Sequence, residues 1–470
     1  MKRLLLSTAL ALALSGCAMM EPGPAPVEQL DAARLGLAQQ DAQWPRMRWW
    51  QRYGDVQLDT LMDEALANHP SMSAAQARLA QANAAVGSAR APLLPRVDAG
   101  YQLTREHLSQ NYVYPAPLGG SVASDNRLAL DFSYELDFWG KNRSLLQAAV
   151  SRQQAAQADA QAARNVLAAA VVRSYLNLQN AFAQREVLER ILRQRADVLQ
   201  ITKDRYAAGL DTQVEVRQAE SSLASGKVEL TQNQASIDQL RNQVAALAGA
   251  GPQRGQSLTP VELTAPGGMI PASVPLDLLG RRPDVAAARW RAEAAGHAID
   301  SAKARFYPNI NLAAFVGFQA MGTGNLLESG SRMAGIGPAI TLPIFHGGEL
   351  NANLAGRRAD ADLAVSDYNQ TVLDAVQQVA DTLSGLRLLD QEKAEQRQAR
   401  EAIDAAYELA VDRYKAGMGS YLSVLIAQTG VLAQARLDTD LRIRAYQFDA
   451  GLATALGGGY VSGDANLSSH

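Results

Sequence analysis

Arg205-Tyr206-Ala207-Ala208-Gly209 returns as Arg413-Tyr414-Lys415-Ala416-Gly417, 208 residues further along the chain. At the same offset Val216 meets Val424, Ala219 meets Ala427 and Gly249 meets Gly457. Upstream the offset is 213: Pro70 aligns with Pro283, Ser88-Ala89 with Ser301-Ala302, and Pro95-Arg96-Val97 with Pro308-Asn309-Ile310. Phe138 meets Phe345 at 207. Ordered matches over so long a stretch mean that one unit is written twice. The halves occupy residues 55–249 and 277–457, and the Gly- and Pro-rich stretch 250–276 reads as a linker between them.

Each Arg-Tyr motif closes a long stretch without helix breakers. Residues 142–208 hold neither proline nor glycine, and residues 351–416 hold no proline. At 1.5 Å per residue, a helix of about 65 residues reaches on the order of 100 Å. Leu167, Val171, Ser174, Leu178, Ala181, Arg185, Leu188 and Leu192 step by three and four, a coiled-coil-like stripe. Gly209 and Gly417 then supply the left-handed residue that ends a helix. The chain returns through 212–247 in the first half and likewise in the second, so each half contains a helical hairpin with the motif at its tip.

Before its hairpin, each half carries a helical segment (57–91 and 284–305) and two alternating segments, 97–105 with 127–138 and 309–319 with 334–345. Leu128, Leu130, Phe132, Tyr134 and Leu136 alternate with Ala129, Asp131, Ser133, Glu135 and Asp137; Ile310, Leu312, Ala314, Val316 and Phe318 repeat the apolar set. Strict alternation marks strands. An ordinary half-buried hairpin shows it, and so does a membrane barrel strand with apolar residues outward and polar residues inward. Four strands do not close a barrel, and lipid tolerates no open edge, so inserted strands would have to be pooled among several copies. Asp98, Asp131, Glu135 and Asp137 fall on the polar face and would give an acidic lining.

The N-terminus reads as an export signal. Lys2 and Arg3 precede an apolar run over 4–14, followed by Leu14-Ser15-Gly16-Cys17. Eleven apolar residues fall short of the roughly 20 that span a bilayer as a helix. Residues 1–16 are then the signal peptide, 17–54 a leash with a Pro-rich start, and 458–470 a C-terminal tail. Leu-Ser-Gly-Cys resembles a bacterial lipobox, which would make Cys17 the acylated first residue of the mature chain; an ordinary signal peptide with an incidental Cys is the alternative. Ala18, rather than Asp, favours the outer membrane.

Composition excludes several classes. Forty-four Lys and Arg stand against 47 Asp and Glu in 470 residues, so the chain lacks the basic excess of a nucleic-acid binder. One cysteine permits neither an internal disulfide nor a multi-Cys metal site. The five histidines (69, 107, 297, 346 and 470) lack metal-ligand spacing, and neither a phosphate-binding glycine loop nor a Gly-x-Ser-x-Gly elbow occurs. No catalytic residue and no cofactor are expected beyond lipid on Cys17.

These blocks together resemble the outer-membrane factor family, the channel components of tripartite efflux pumps, in its lipoprotein branch. The resemblance rests on Trp49-Trp50 with Gly54-Asp55, Leu58, Leu61 and 65–68; on Arg281-Arg282-Pro283-Asp284-Val285 with 302–308; and on the returns 135–141 and 342–348. It implies an α+β membrane protein: a homotrimer whose twelve strands form one outer-membrane β-barrel, continued across the periplasm by a helical coiled-coil barrel. It implies a passive duct for drugs or other small toxic compounds, partnered by a periplasmic adaptor and an inner-membrane transporter. A channel for type I protein secretion shares this architecture and is the alternative. The tips, Arg205, Tyr206 and Gly209 with Arg413, Tyr414 and Gly417, resemble adaptor-docking ends. The gate of such channels lies just past the second tip, where many relatives place an acid and then an Arg. Ile426 and Thr429 stand there, so Leu422 and Leu425 would close the aperture by apolar contact.

Overall fold

Asp55 opens the first half. Its carboxylate accepts hydrogen bonds from the backbone N–H groups of Gln57 (2.8 Å) and Leu58 (3.3 Å), the cap that starts helix α1, Val56–Asn68. Helix α2 (Pro70–Arg90), strands β1 (Arg96–His107) and β2 (Val122–Leu136), and helices α3 (Lys141–Ala207) and α4 (Gln213–Leu247) follow. The second half repeats the order with α5 (Pro283–Ala304), β3 (Asn309–Met321), β4 (Arg332–Thr341), α6 (Glu349–Lys415) and α7 (Tyr421–Ala455). The long helices are 67 residues in both halves, and the return helices are 35 in both. The computed structural model describes residues 20–30, 35, 37, 44–265, 274, 278–322 and 324–461. The signal peptide, Cys17 and most of the tail 458–470 lie outside the described residues.

Two strands differ from their expected bounds by more than two residues. β2 begins at Val122 rather than 127, because residues 122–126 continue the ladder, Val122 opposite His107 and Asn126 opposite Leu103. Ala123, Ser124, Asp125 and Asn126 break the apolar alternation that marks the rest of the strand. β4 ends at Thr341 rather than 345: Pro343 offers no N–H to a ladder.

The strands form one antiparallel sheet in the order β1-β2-β3-β4. Its register sorts the two faces. Val97 faces Phe132, which faces Ala314; Tyr101 faces Leu128, which faces Phe318; Ile310 faces Ile340. The opposite face holds Asp98 against Asp131 and Glu135 against Asn311. The apolar face lies bare: Val97 is 61% exposed, Val316 57% and Ile336 76%. β1 and β4 have no strand on their outer sides among the described residues, and Pro338 sits in β4, where an edge tolerates it.

The chain forms two compact units, and each draws on both halves. One contains the sheet, with residues 78–156 and 287–369 and the described part of 1–29. Here the leash lies on α6. Val27 N–H donates to Asp362 at 2.9 Å, Arg358 donates to the Glu21 carbonyl at 3.0 Å, and Asn369 donates to the Glu28 carbonyl at 3.0 Å. Met20 packs against Ile299, Phe306, Leu350 and Leu354.

The other unit has the main core. Trp50, Tyr53, Leu58, Leu61 and Met62 pack with Tyr175 and Leu176 of α3, Ile237 of α4 and Tyr446 of α7. Each fully buried aliphatic side chain there contributes about 1.5–3 kcal/mol. The buried hydroxyls are satisfied: Tyr53 donates to Asp449 at 2.8 Å, and Tyr175 donates to Asp55. Burial pushes the Asp449 carboxyl up, although Arg52 lies 2.6 Å away. Part of the linker is tied to this core. Val261 N–H donates to Gln179 at 2.9 Å, Thr264 N–H to the Tyr53 carbonyl at 3.0 Å, and Tyr446 to the Leu263 carbonyl at 2.9 Å.

Candidate functional site: sheet face and hairpin tips

At both tips the glycine does what its position demands. Gly209 has φ +75° and Gly417 φ +77°. Leu210 N–H then reaches the Arg205 carbonyl (2.9 Å) and Met418 N–H the Arg413 carbonyl (2.8 Å), bonds that satisfy the last helical carbonyls. The returns are capped as their sequences require. Thr212 and Glu215 form a reciprocal capping box at α4, and Ser420 caps α7.

The two tips are alike in backbone and unlike in side-chain role. Arg205 pairs with Asp211 (2.9 and 3.2 Å) and donates to the Tyr414 carbonyl at 2.8 Å. Tyr414 is buried in a cluster with Val198, Leu199, Tyr421 and Val424. Its hydroxyl donates to Asp211 and approaches Thr202 Oγ1 at 3.1 Å. Burial drives the Asp211 carboxyl up, but hydrogen bonds from Arg205 and Tyr414 outweigh it and hold Asp211 below its ordinary value. Burial and the Asp211 carboxylate push the Tyr414 hydroxyl up to about 12. Arg413 is exposed, with no ion pair among the described residues, and Tyr206 is 47% exposed.

Of the six tip residues, therefore, Tyr206 and Arg413 are presented to solvent, Arg205 and Tyr414 form an internal joint, and Gly209 and Gly417 make the turns. Asp211 and Thr202 complete the joint, and the sequence reading missed them. The available signal was asymmetry: at the motif's offset, Asp211 has Gly419 as its counterpart.

The expected gate residues also separate. Leu422 (60% exposed) and Ile426 (64%) lie one turn apart on α7, with Met418 (68%) in the turn before them. Leu425 instead packs into the Tyr414 cluster, and the Thr429 hydroxyl donates to the Leu425 carbonyl at 2.8 Å. Met418 was not read from the sequence, since it precedes the helix.

Three of the expected acids of the sheet are paired with bases. Asp98 lies 2.6 Å from Arg96, Asp131 is bidentate to Arg127 (2.5 and 3.0 Å), and Glu135 lies 2.5 Å from Lys141. Asp137 falls outside the strand, which ends at Leu136. Its carboxylate accepts from the N–H groups of Asn142 (3.1 Å) and Arg143 (2.8 Å), so it caps α3 rather than facing across the sheet. The polar face also holds Glu106 and Asp125, the latter accepting from the Gln319 amide at 3.2 Å, so its strands carry five acids against Arg96 and Arg127 and the face keeps an acidic excess. It also holds a large aromatic group: Phe315, opposite Asp131, lays its ring over Gly335, where an added Cβ would meet ring carbons at 2.7 Å. Among the described residues no group of three or more His, Cys, Asp or Glu is arranged to hold a metal ion.

Residues 61–250 and 274–458 match the family described as "Outer membrane efflux protein". The chain is similar to the fusaric acid resistance protein FusA of Burkholderia cepacia, 39% identical over 75% of this chain and 68% of that one. It is 32% identical to the multidrug resistance outer membrane protein MdtP of Escherichia coli strain K12, over 96% of this chain and 95% of that one. The crystal structure of the outer membrane protein VceC of Vibrio cholerae superposes with a TM-score of 0.85 at 37% identity, over 88% of this chain and 100% of that one.

Proposed function

The chain belongs to the outer membrane efflux protein family, and from that premise we propose that three copies form the outer-membrane duct of a tripartite efflux pump. The observation that carries this reading is the four-stranded sheet with a bare apolar face, a charged polar face and two edges unpaired among the described residues. In lipid an unpaired strand edge leaves its N–H and C=O groups unsatisfied, so the edges of neighbouring copies must pair. Three copies place twelve strands in one wall, apolar outward and polar inward.

Drugs and other small toxic compounds pass down this duct, delivered by an inner-membrane transporter through a periplasmic adaptor. The names of the relatives, a multidrug and a fusaric acid resistance protein, support that substrate class. The adaptor docks at the tips through their exposed groups, Tyr206 and Arg413. Leu422 and Ile426 of the three copies close the periplasmic end, because a narrow apolar ring resists wetting. Cys17 carries N-acyl and diacylglycerol lipid. The seat of Met20 and the leash on α6 supports an anchor held beside the sheet-bearing unit.

Mass measurement in detergent and planar-bilayer conductance test the duct, with drug resistance of a deletion strain as the cellular readout. A trimer with discrete conductance and restored resistance is expected. A monomer without conductance would refute it.

A further inference from the structure

The two 67-residue helices are equivalent in length and in the turns that end them, but not in charge. α3 carries eleven Lys and Arg against five Asp and Glu, a net +6. α6 carries eight against thirteen, a net −5. The return helices have not diverged: α4 holds three bases and four acids, α7 three and three. One pair of equivalent helices has split in sign while the return helices stayed near neutral.

Contacts within the chain leave much of this charge unused. Both long helices pack on α7. Val187, Leu188 and Ile191 of α3 meet Val431 and Leu432, while α6 is tied to α7 by Arg400–Asp438 at 2.5 Å and Glu392–Arg444 at 2.9 Å. Arg173, Arg190, Arg193 and Lys203 of α3 are exposed, as are Asp390, Glu395, Glu401 and Glu408 of α6. None of these eight has an ion-pair partner among the described residues. Asp390, Glu401 and Glu408 are spaced by 11 and 7 residues, about three and two turns, so they share one side of α6. A groove of about 590 Å³ between α6 and α7 is lined by Leu388, Leu437 and Leu441 with Glu392 and Glu395.

Resting on the ring of copies proposed above, we infer that this split encodes the contact between subunits: the basic α3 of one copy docks against the acidic side of α6, and the groove beside it, in the next. A closed ring of identical chains needs a heterologous contact, in which one surface always meets a different one. Pairing of α3 with a second α3 sets +6 against +6, and pairing of α6 with a second α6 sets −5 against −5. Each exposed ion pair is weak, but discrimination depends on the difference between attracted and repelled arrangements. The charge therefore selects unlike long helices and disfavours the open or face-to-face assemblies that a duplicated chain invites.

The test uses the full chain in detergent at about 20 mM and about 500 mM salt, conditions that leave surface charge weakly and strongly screened. Three variants are compared: Arg173→Glu/Arg190→Glu/Arg193→Glu, Asp390→Lys/Glu401→Lys/Glu408→Lys, and the chain carrying all six. Each triple is expected to lower the trimer fraction at least tenfold at low salt and to recover at high salt, while the six-fold variant, its signs exchanged but still complementary, assembles at both. Because the six-fold variant contains every substitution, its assembly separates lost pairing from lost folding. Triples as trimeric as the wild type at low salt, or a six-fold variant no better than either triple, would overturn the inference while leaving the duct intact. A monomeric wild type would overturn both.

Discussion

The Arg205 guanidinium of the first hairpin tip lies 4.5 Å from the centre of the Tyr414 ring in the second. With Asp211 bonded to both, a cation, a ring and a carboxylate close into one joint between the two halves of the chain. A cation over an aromatic face contributes roughly 0.5–2 kcal/mol depending on desolvation. The joint ties each tip to its duplicate.

Its pH limits follow from the shifts. Asp211 is held below its ordinary value, so its contribution is present above the unfolded-state pKa and lost as pH falls through the lower, folded one. Tyr414 is raised, so its contribution is complete below the ordinary tyrosine pKa and lost as pH rises through about 12. Tyr414→Phe keeps the ring and removes the hydroxyl that serves Asp211. It is expected to cost about 1 kcal/mol and to raise the frequency of channel opening. Unchanged conductance and thermal stability would assign the hydroxyl no role.

Arg413→Glu and Arg205→Glu should differ in kind. Arg413 is exposed and unpaired among the described residues, so its reversal should abolish resistance while the assembled, inserted protein keeps its melting temperature. Arg205→Glu sets a carboxylate beside Asp211 and should destabilise the tips themselves. Drug resistance and thermal melting of both variants separate the roles; normal resistance in Arg413→Glu would remove it from docking.

Single-channel recording should separate the apolar residues beyond the second tip. Leu422→Ser and Ile426→Ser wet the exposed row and should raise the open fraction. Leu425→Ala removes a packing group of the Tyr414 cluster and should instead cost about 2 kcal/mol, toward the low end of core truncations because the residue is only partly buried. Equal effects from all three would contradict the division.

An arginine reports the two faces of the sheet. Leu130→Arg places charge on the bare apolar face and should cost about 2–4 kcal/mol of insertion stability near mid-membrane, whereas Ser133→Arg on the polar face should be tolerated. Urea unfolding in vesicles distinguishes them, and the reverse order would invert the sheet.

Cys17→Ser should abolish labelling by a radioactive fatty acid; continued labelling would move the acylation site. Arg358→Ala with Asp362→Ala should leave labelling intact but speed hydrogen exchange at residues 21–28, which lose two of their hydrogen bonds to α6.

Long-range order was easy to read in this sequence, and charge pairing was not. The repeat, the hairpins and the alternating strands are patterns of residue type at fixed spacing, and the helices follow them to within about two residues of their expected ends. The exception is the segment 57–91, which breaks at the extended His69, before Pro70, into α1 and α2. The role of Asp137 depended on where β2 stops, because one residue past the strand an acid becomes a helix cap. The pairing of Asp131 and Glu135 on the polar face depended on Arg127 and Lys141 reaching them. Tyr206 and Tyr414 occupy corresponding places in the motif yet differ in burial, since what covers Tyr414 is Arg205 and Asp211 from the other half. Periodicity within one strand or helix does not reveal a partner 200 residues away.

The equal lengths of the paired helices make length a coupled variable. Inserting seven residues into one 67-residue helix and its return would carry that tip about 10 Å past its twin and pull Arg205 off Tyr414. A change of reach is thus open to this chain only when both halves change by the same number of residues, so natural length variation should occur in matched pairs.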